Sequence, residues 1–375
     1  MLGAFLYVDA GKGHYTPAKA LYDSFVKLKQ EAVLEDLFVM MKTPFWHWFV
    51  KYYWRFMLHH PNYERKSSSK SDNPELWNRL LPVVVTLYKK KFRRWYEATQ
   101  PDFILCTNFL GGVFLPALTK AISVDIPTYV YAADVFMSPQ MGISNGLTKM
   151  YVPSPDGVRW VIEHGQAPER TALCPFPLQQ KFEDFPQISR QEARTNLGLA
   201  EKFTVLLSLG GEGIGSTEFV EEACWRGLDI QVVLVGNLSK TTKMKYDLFS
   251  VLHPDFDIKA VGFVNNIHEY FLASDIVVGK QGANTLMESI YLHRPCLISE
   301  LLYTADPSAK FLRENEIGWS ESDPVKQVEI VQKCALDPTF SQRIEERFNL
   351  VPLRFSVDEF ARQIIADTQQ IQTTP

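Results

Sequence analysis

The sequence is poor in cysteine, with five in 375 residues (Cys106, Cys174, Cys224, Cys296 and Cys334) and none in a CxxC pair. That scatter excludes a disulfide framework and a cysteine zinc site, and it suits a reducing compartment in which the thiols fill core space. A surplus of cations is missing too, because 39 Lys and Arg stand against 43 Asp and Glu, giving a formal charge of −4. Nucleic-acid binding needs a basic face to neutralise phosphates, so no nucleic-acid partner is expected and any basic surface has to be local. No apolar run approaches the roughly 20 residues that cross a bilayer; those at 203–209 and 230–235 are strand-sized. The first residues, Leu2 to Val8, have neither a basic region nor a small-residue cleavage site, and read as a strand of a cytoplasmic protein instead of a leader.

What is present is the composition of a folded protein, 46% hydrophobic and 22% charged, long enough for two domains. Short β-branched runs alternate with amphipathic stretches, the pattern of parallel strands and crossover helices. Strands are predicted at 2–9, 33–37, 102–107, 127–131 and 148–152, and again at 203–209, 230–235, 257–261, 275–279 and 295–298. The fold class is therefore α/β, with two doubly wound parallel-sheet (Rossmann-like) domains. Pro175, Pro177 and Pro186 interrupt the pattern and place the join near 185, giving a first domain over 1–185 and a second over 186–355. Ser356 to Glu359 is a capping box before an amphipathic helix with Phe360, Ala361, Ile364 and Ile365 on one face, so 356–375 forms a last helix and tail. Lys66 to Ser71 reads as a mobile loop.

Between 42 and 95 the balance reverses, with twelve basic residues against three acidic ones and five of the eight tryptophans. From Phe45 to Met57 nearly every position is aromatic. Rings with interleaved cations suit a bilayer interface, where a ring sits at headgroup depth and Lys or Arg reaches anionic lipid. The residues expected there are Trp46, Trp48, Phe49, Tyr53, Trp54 and Arg55, with Lys89, Lys90, Lys91, Arg93 and Arg94. Two other readings stand beside this one. Trp46, Phe49, Tyr53 and Phe56 could be one core face of a helix, or the rings could stack single-stranded bases.

Glycine turns follow three of the strands. The first, Asp9-Ala10-Gly11-Lys12-Gly13-His14, delivers a histidine to a helix whose N-cap and first position would be Thr16 and Pro17. In open α/β sheets ligands gather beyond the carboxyl ends of strands, and a histidine there can take a proton from an alcohol. The second and third, Leu209 to Ser216 and Gly279 to Glu288, would bring backbone amides and helix N-termini to a diphosphate, with Glu288 accepting ribose hydroxyls. Neither is the GxxxxGK[ST] phosphate loop. Asp255-Phe256-Asp257, beside Pro254, reads as turn chemistry, and no metal site is expected.

Together these motifs resemble the glycosyltransferase family of monogalactosyldiacylglycerol synthase, processive diacylglycerol glucosyltransferase and the lipid I N-acetylglucosaminyltransferase. The resemblance rests on Gly11 to His14 with Ala18, on Ala133-Asp134, on Val152-Pro153-Ser154, on Leu209 to Gly215 and on Gly279 to Ser289. It implies a GT-B fold: two domains facing a cleft, acceptor first and donor second, and a C-terminal helix crossing back to the first. It also implies His14 or Asp134 as the base, Gly11, Lys12 and Gly13 in the acceptor loop, and Gly211, Glu212, Gly213, Lys280, Gly282, Ala283, Thr285 and Glu288 around the donor. Lys12 stands where relatives usually have glycine. The Gln pair that touches the donor sugar in many relatives is absent, the region reading Leu302-Tyr303-Thr304-Ala305-Asp306.

The function this implies is inverting transfer of glucose or galactose from a UDP-sugar, a co-substrate and not a cofactor, to diacylglycerol or a related lipid by a protein peripheral to an anionic membrane. A UDP-sugar epimerase on the same fold and a non-catalytic nucleotide-sugar or lipid-binding relative are the alternatives.

Overall fold

The computed structural model describes residues 1–186, 188–209, 217–280, 282–300, 302–303 and 305–373, with the side chains at 44, 46 and 217 outside that description. The chain divides into two compact units, Met1–Glu183 together with Pro352–Pro375, and Asp184–Val351.

In the first unit β1 (Leu2–Tyr7), β2 (Glu31–Asp36), β3 (Phe103–Cys106), β4 (Thr128–Tyr131), β5 (Lys149–Val152) and β6 (Thr171–Leu173) form a parallel sheet in the order β2-β1-β3-β4-β5-β6. The helices are α1 (Lys12–Lys27), α2 (Leu37–Met40), α3 (Pro44–His59), α4 (Pro61–Ser71), α5 (Pro74–Thr99), α6 (Leu110–Ile122), α7 (Pro155–Glu163) and α8 (Gln180–Glu183). In the second unit come α9 (Arg190–Leu197), β7 (Phe203–Ser208), α10 (Thr217–Trp225), β8 (Ile230–Val235), α11 (Lys240–Leu252), β9 (Asp257–Gly262) and α12 (Ile267–Ala273). They are followed by β10 (Ile276–Lys280), α13 (Ala283–Tyr291), β11 (Cys296–Glu300), α14 (Ala305–Glu314), β12 (Gly318–Ser320), α15 (Pro324–Leu336) and α16 (Phe340–Phe348). This sheet is also parallel, in the order β12-β11-β10-β7-β8-β9.

Every residue of β3, β4 and β8 is buried, as expected of strands covered by helices on both faces. β10 and β7 run so close that a Cβ on Gly279 would come 2.5 Å from the Ser208 carbonyl oxygen, which restricts that position to glycine. β6 and β12, three residues each at a sheet edge, are strands that the sequence pattern does not predict, because alternation has no length in which to show.

α17 (Val357–Thr373) belongs to the first unit. Its Phe360 is fully buried, with ring centroids 5.1 Å from Tyr151 and 5.6 Å from Tyr131. Asp358 accepts from Ser24 Oγ at 2.7 Å and Lys27 Nζ at 2.8 Å, and Asp367 accepts from Tyr151 Oη at 2.6 Å. Half of the predicted capping box forms: the Glu359 amide is 3.2 Å from Ser356 Oγ, but the Ser356 amide donates to the Phe176 carbonyl at 3.3 Å and the Glu359 carboxylate pairs with Arg354 instead of reaching back.

Two local expectations are corrected. α1 starts at Lys12, not after Thr16, because Gly11 at φ +88° turns the chain straight from β1 into the helix; Pro17 lies inside it. Lys66 to Ser71 is the last part of α4 and no loop, its Ser68 Oγ bonded one turn back to the buried Glu64 carboxylate at 2.7 Å.

Candidate active site

The strand orders locate the site before any side chain is considered. In the first unit the chain steps from β1 outward to β2 and then returns to the other side of β1 as β3, so the switch point lies between β1 and β3. In the second unit it lies between β7 and β10. At such a point the connecting loops diverge and leave a crevice at the carboxyl ends of the strands.

His14 stands in the first of these crevices, in the first turn of α1. Its Nδ1 is 2.9 Å from the carbonyl oxygen of Thr107, the residue after β3, and the Thr107 hydroxyl donates back to the His14 carbonyl at 2.7 Å. The two loops of the switch point are thereby tied together. A carbonyl only accepts, so Nδ1 carries the proton, and in the neutral ring Nε2 keeps its lone pair. Burial pushes the His14 pKa below the usual 6.5, against the opposing pull of the Asp134 charge and the Thr107 carbonyl. The ring is therefore held as a neutral base. Asp134 lies half-buried in the turn after β4, close enough for its charge to act on the ring. Lys12, exposed, sits 4.5 Å over the Tyr15 ring.

In the second unit α13 begins directly beyond β10, with Gly282 as N-cap and no side chain capping it. The amides of its first turn have no intrahelical acceptors, which makes the end a natural seat for a phosphate. Lys280 closes β10; Gly282, Ala283 and Thr285 are half-exposed at the helix start, and Glu288 is buried one turn on. Gly211, Glu212 and Gly213, the other expected donor residues, lie outside the described residues. Asp306 occupies the first turn of α14, where a carboxylate complements the helix end. Asp255 is in a turn and Asp257 pairs with Lys202 at 2.8 Å, consistent with a structural role for that pair. Among the described residues no group of three His, Cys, Asp or Glu could hold a metal ion.

Three features escape the sequence reading. The Thr107 carbonyl, which fixes the His14 tautomer, is a backbone group and leaves no mark in sequence. Phe263, 76% exposed just past the carboxyl end of β9, offers a flat apolar ring, and the Gly262-Phe263 turn after a strand is the signal that could have found it. The third is α5, where Leu76, Leu80, Val83 and Leu87, at spacings of four, three and four, are each 43–59% exposed. Lys90 and Arg94 extend the same stripe.

α3 presents Phe45, Trp48, Tyr52 and Phe56 outward, each 51–65% exposed, with Phe49 and Tyr53 at 40% beside them. That excludes a buried core face for Phe49, Tyr53 and Phe56, while the Trp46 side chain lies outside the described residues. Arg55, Lys89, Lys90, Arg93 and Arg94 are exposed. Two expected surface residues turn elsewhere. Lys91 donates to the Lys42 carbonyl at 3.1 Å, and Trp54 is half-buried against the glycine loop, its Nε1 3.5 Å from where a Gly11 Cβ would be. Among the described residues no helix is long and apolar enough to cross a membrane.

Comparison with known proteins bears on the family and the fold. Residues 217–302 match the glycosyltransferase family 28 C-terminal domain. The chain is 25% identical over 305 residues to the processive diacylglycerol beta-glucosyltransferase of Bacillus cereus, covering 77% of this chain and 73% of the relative. Its fold is similar to that of Acinetobacter baumannii MurG, at a TM-score of 0.63 and 11% identity, covering 98% of this chain and 99% of that one. It is also similar to that of Anabaena HepE, solved in complex with UDP-glucose, at a TM-score of 0.54 and 14% identity, covering 100% and 99%.

Proposed function

We propose, from the match of residues 217–302 to the glycosyltransferase family 28 C-terminal domain and the similarity to processive diacylglycerol beta-glucosyltransferase, that the chain moves glucose or galactose from a UDP-sugar to diacylglycerol or a related membrane lipid. The observation that carries the proposal is His14 at the β1/β3 switch point, its Nδ1 proton committed to Thr107 and its Nε2 left basic. In the proposed step the acceptor hydroxyl oxygen attacks C1 of the sugar from the face opposite UDP. The C1–O bond to UDP breaks, UDP leaves with the electron pair, and His14 Nε2 takes the hydroxyl proton. Configuration at C1 inverts. The second unit supplies the nucleotide seat: the amide end of α13 and Lys280 face the growing charge on the diphosphate, Glu288 serves the ribose, and Phe263 offers its ring to the uracil. No cofactor enters this step. The outward rings of α3 and the stripe on α5 support a lipid acceptor, reached by peripheral attachment to an anionic surface.

The test is release of UDP and formation of labelled glycolipid from radiolabelled UDP-glucose, UDP-galactose and UDP-N-acetylglucosamine, with and without anionic vesicles containing diacylglycerol. Lipid-dependent product from one hexose is expected. UDP bound without turnover would favour a non-catalytic relative, and an epimerised sugar nucleotide without lipid would favour an epimerase.

The acid limb of the kcat/KM profile is expected below pH 6.5, because burial lowers the His14 pKa and the base stays unprotonated to lower pH. Asp134→Asn removes the negative charge that raises this pKa, so the limb should move to still lower pH while turnover continues. Loss of all turnover in Asp134→Asn, with donor binding kept, would instead make Asp134 the base.

A further inference from the structure

The aromatic helix has a second face that the membrane reading does not use. His47, Lys51 and Trp54, at spacings of four and three, lie on the side of α3 away from Phe45, Trp48, Tyr52 and Phe56. All three meet the loop that carries His14. Lys51 Nζ is 3.0 Å from the Asp9 carboxylate, and the His47 ring lies 3.5 Å from Asp36 and 3.8 Å from Asp9. Asp36 in turn accepts the Asp9 amide at 2.7 Å. Trp54 covers Gly11, the residue whose positive φ starts α1 and so aims His14.

We propose that α3 transmits bilayer attachment to the catalytic loop, with Lys51 and Trp54 as positioning residues that fix residues 9–14 when the outward rings of the helix engage lipid. The inference rests on the membrane reading given above. A sixteen-residue helix spans about 24 Å and moves as one body. Its outward rings can enter an interface together only in one pose of the helix, and that pose also sets where Lys51 and Trp54 meet Asp9 and Gly11. A lipid surface shifts a conformational equilibrium only by binding one state better, and this geometry provides the difference. The ligand is the lipid surface itself, separate from the acceptor molecule.

Hydrogen exchange of the full chain tests this without turnover, using phosphatidylcholine vesicles containing phosphatidylglycerol, with no diacylglycerol and no nucleotide. In the wild-type protein peptides over 44–59 and over 8–15 should both exchange about threefold to tenfold more slowly on vesicles. Lys51→Met and Trp54→Phe should keep the protection over 44–59 and lose most of that over 8–15, with Lys51→Arg restoring it. Protection confined to 44–59 in the wild type, or unchanged over 8–15 in both variants, would overturn the coupling and leave the membrane surface standing. No protection over either segment would overturn both. In assays, Lys51→Met should lower kcat about tenfold with little change in KM for the UDP-sugar, the split expected of a group that orders the base and does not touch the donor. If no sugar supports turnover, the exchange result still decides the coupling.

Discussion

Replacing His14 with alanine should lower kcat by about 10²–10⁴-fold, the range that a positioned general base contributes. Binding of UDP should be unchanged, because the amide end of α13 and Lys280 belong to the other compact unit. The competing interpretation is that the ring only ties the β1 and β3 loops through Thr107. Two substitutions separate these roles. His14→Asn keeps an amide hydrogen where Nδ1–H meets the Thr107 carbonyl but offers no basic nitrogen at neutral pH, so a tie predicts activity and a base predicts none. Imidazole added to His14→Ala should restore part of the rate, since a small base can enter the half-buried space left by the ring. Full activity in either variant, with the fold intact by circular dichroism, would remove His14 from the mechanism. Retained turnover in His14→Ala combined with a silent Asp134→Asn would transfer the role to the carboxylate.

Most of this architecture was legible before the structure, and the reason lies in what parallel sheets demand. Strands covered on both faces must be apolar throughout, so Phe103 to Cys106 and Ile230 to Val235 stand out as short continuous runs, and the turns after β1, β7 and β10 carry glycine in sequence. The switch points follow from strand order, and strand order is a tertiary property that one sequence does not display. What the pattern obscured was direction. From Phe45 to Met57 apolar or aromatic residues fill nearly every position, so a period of 3.6 selects no face, and Trp54 looks as suited to lipid as Trp48 does. The interruptions are informative instead: His47 and Lys51 break the aromatic run at the positions that meet Asp9 and Asp36. On α5 the opposite happened, because the Val83-Val84-Val85 run and Pro82 masked a regular stripe from Leu76 to Leu87. The start of α1 was misplaced because Thr-Pro is a strong local signal, and the positive φ of Gly11 overrode it.

The α5 stripe leads to the second large effect: changing Leu76, Leu80, Val83 and Leu87 together to glutamine should release the protein from anionic vesicles. Each side chain is already about half covered by the protein, so burying the remainder in an interface contributes about 1 kcal/mol per residue. Four of them amount to about 4 kcal/mol, a loss of about three powers of ten in partition. The basic end acts separately. Lys89, Lys90, Arg93 and Arg94 lie in the last turns of the same helix, each worth about 1 kcal/mol near an anionic surface, and their contribution alone should fade as salt is raised. Flotation with neutral and anionic vesicles at low and high salt therefore resolves the two parts, with the leucine variant losing binding in every condition and a Lys90→Gln/Arg94→Gln variant losing it mainly on anionic vesicles at low salt. Such heptad spacing could also seat a second copy of the chain, and the measurements distinguish the cases. An interface between copies predicts a wild-type dimer that the glutamines dissociate and vesicle binding that they leave unchanged. The cations at one end of the stripe and the rings on α3 favour lipid, since a self-pairing helix has little use for like charges brought together along its own seam.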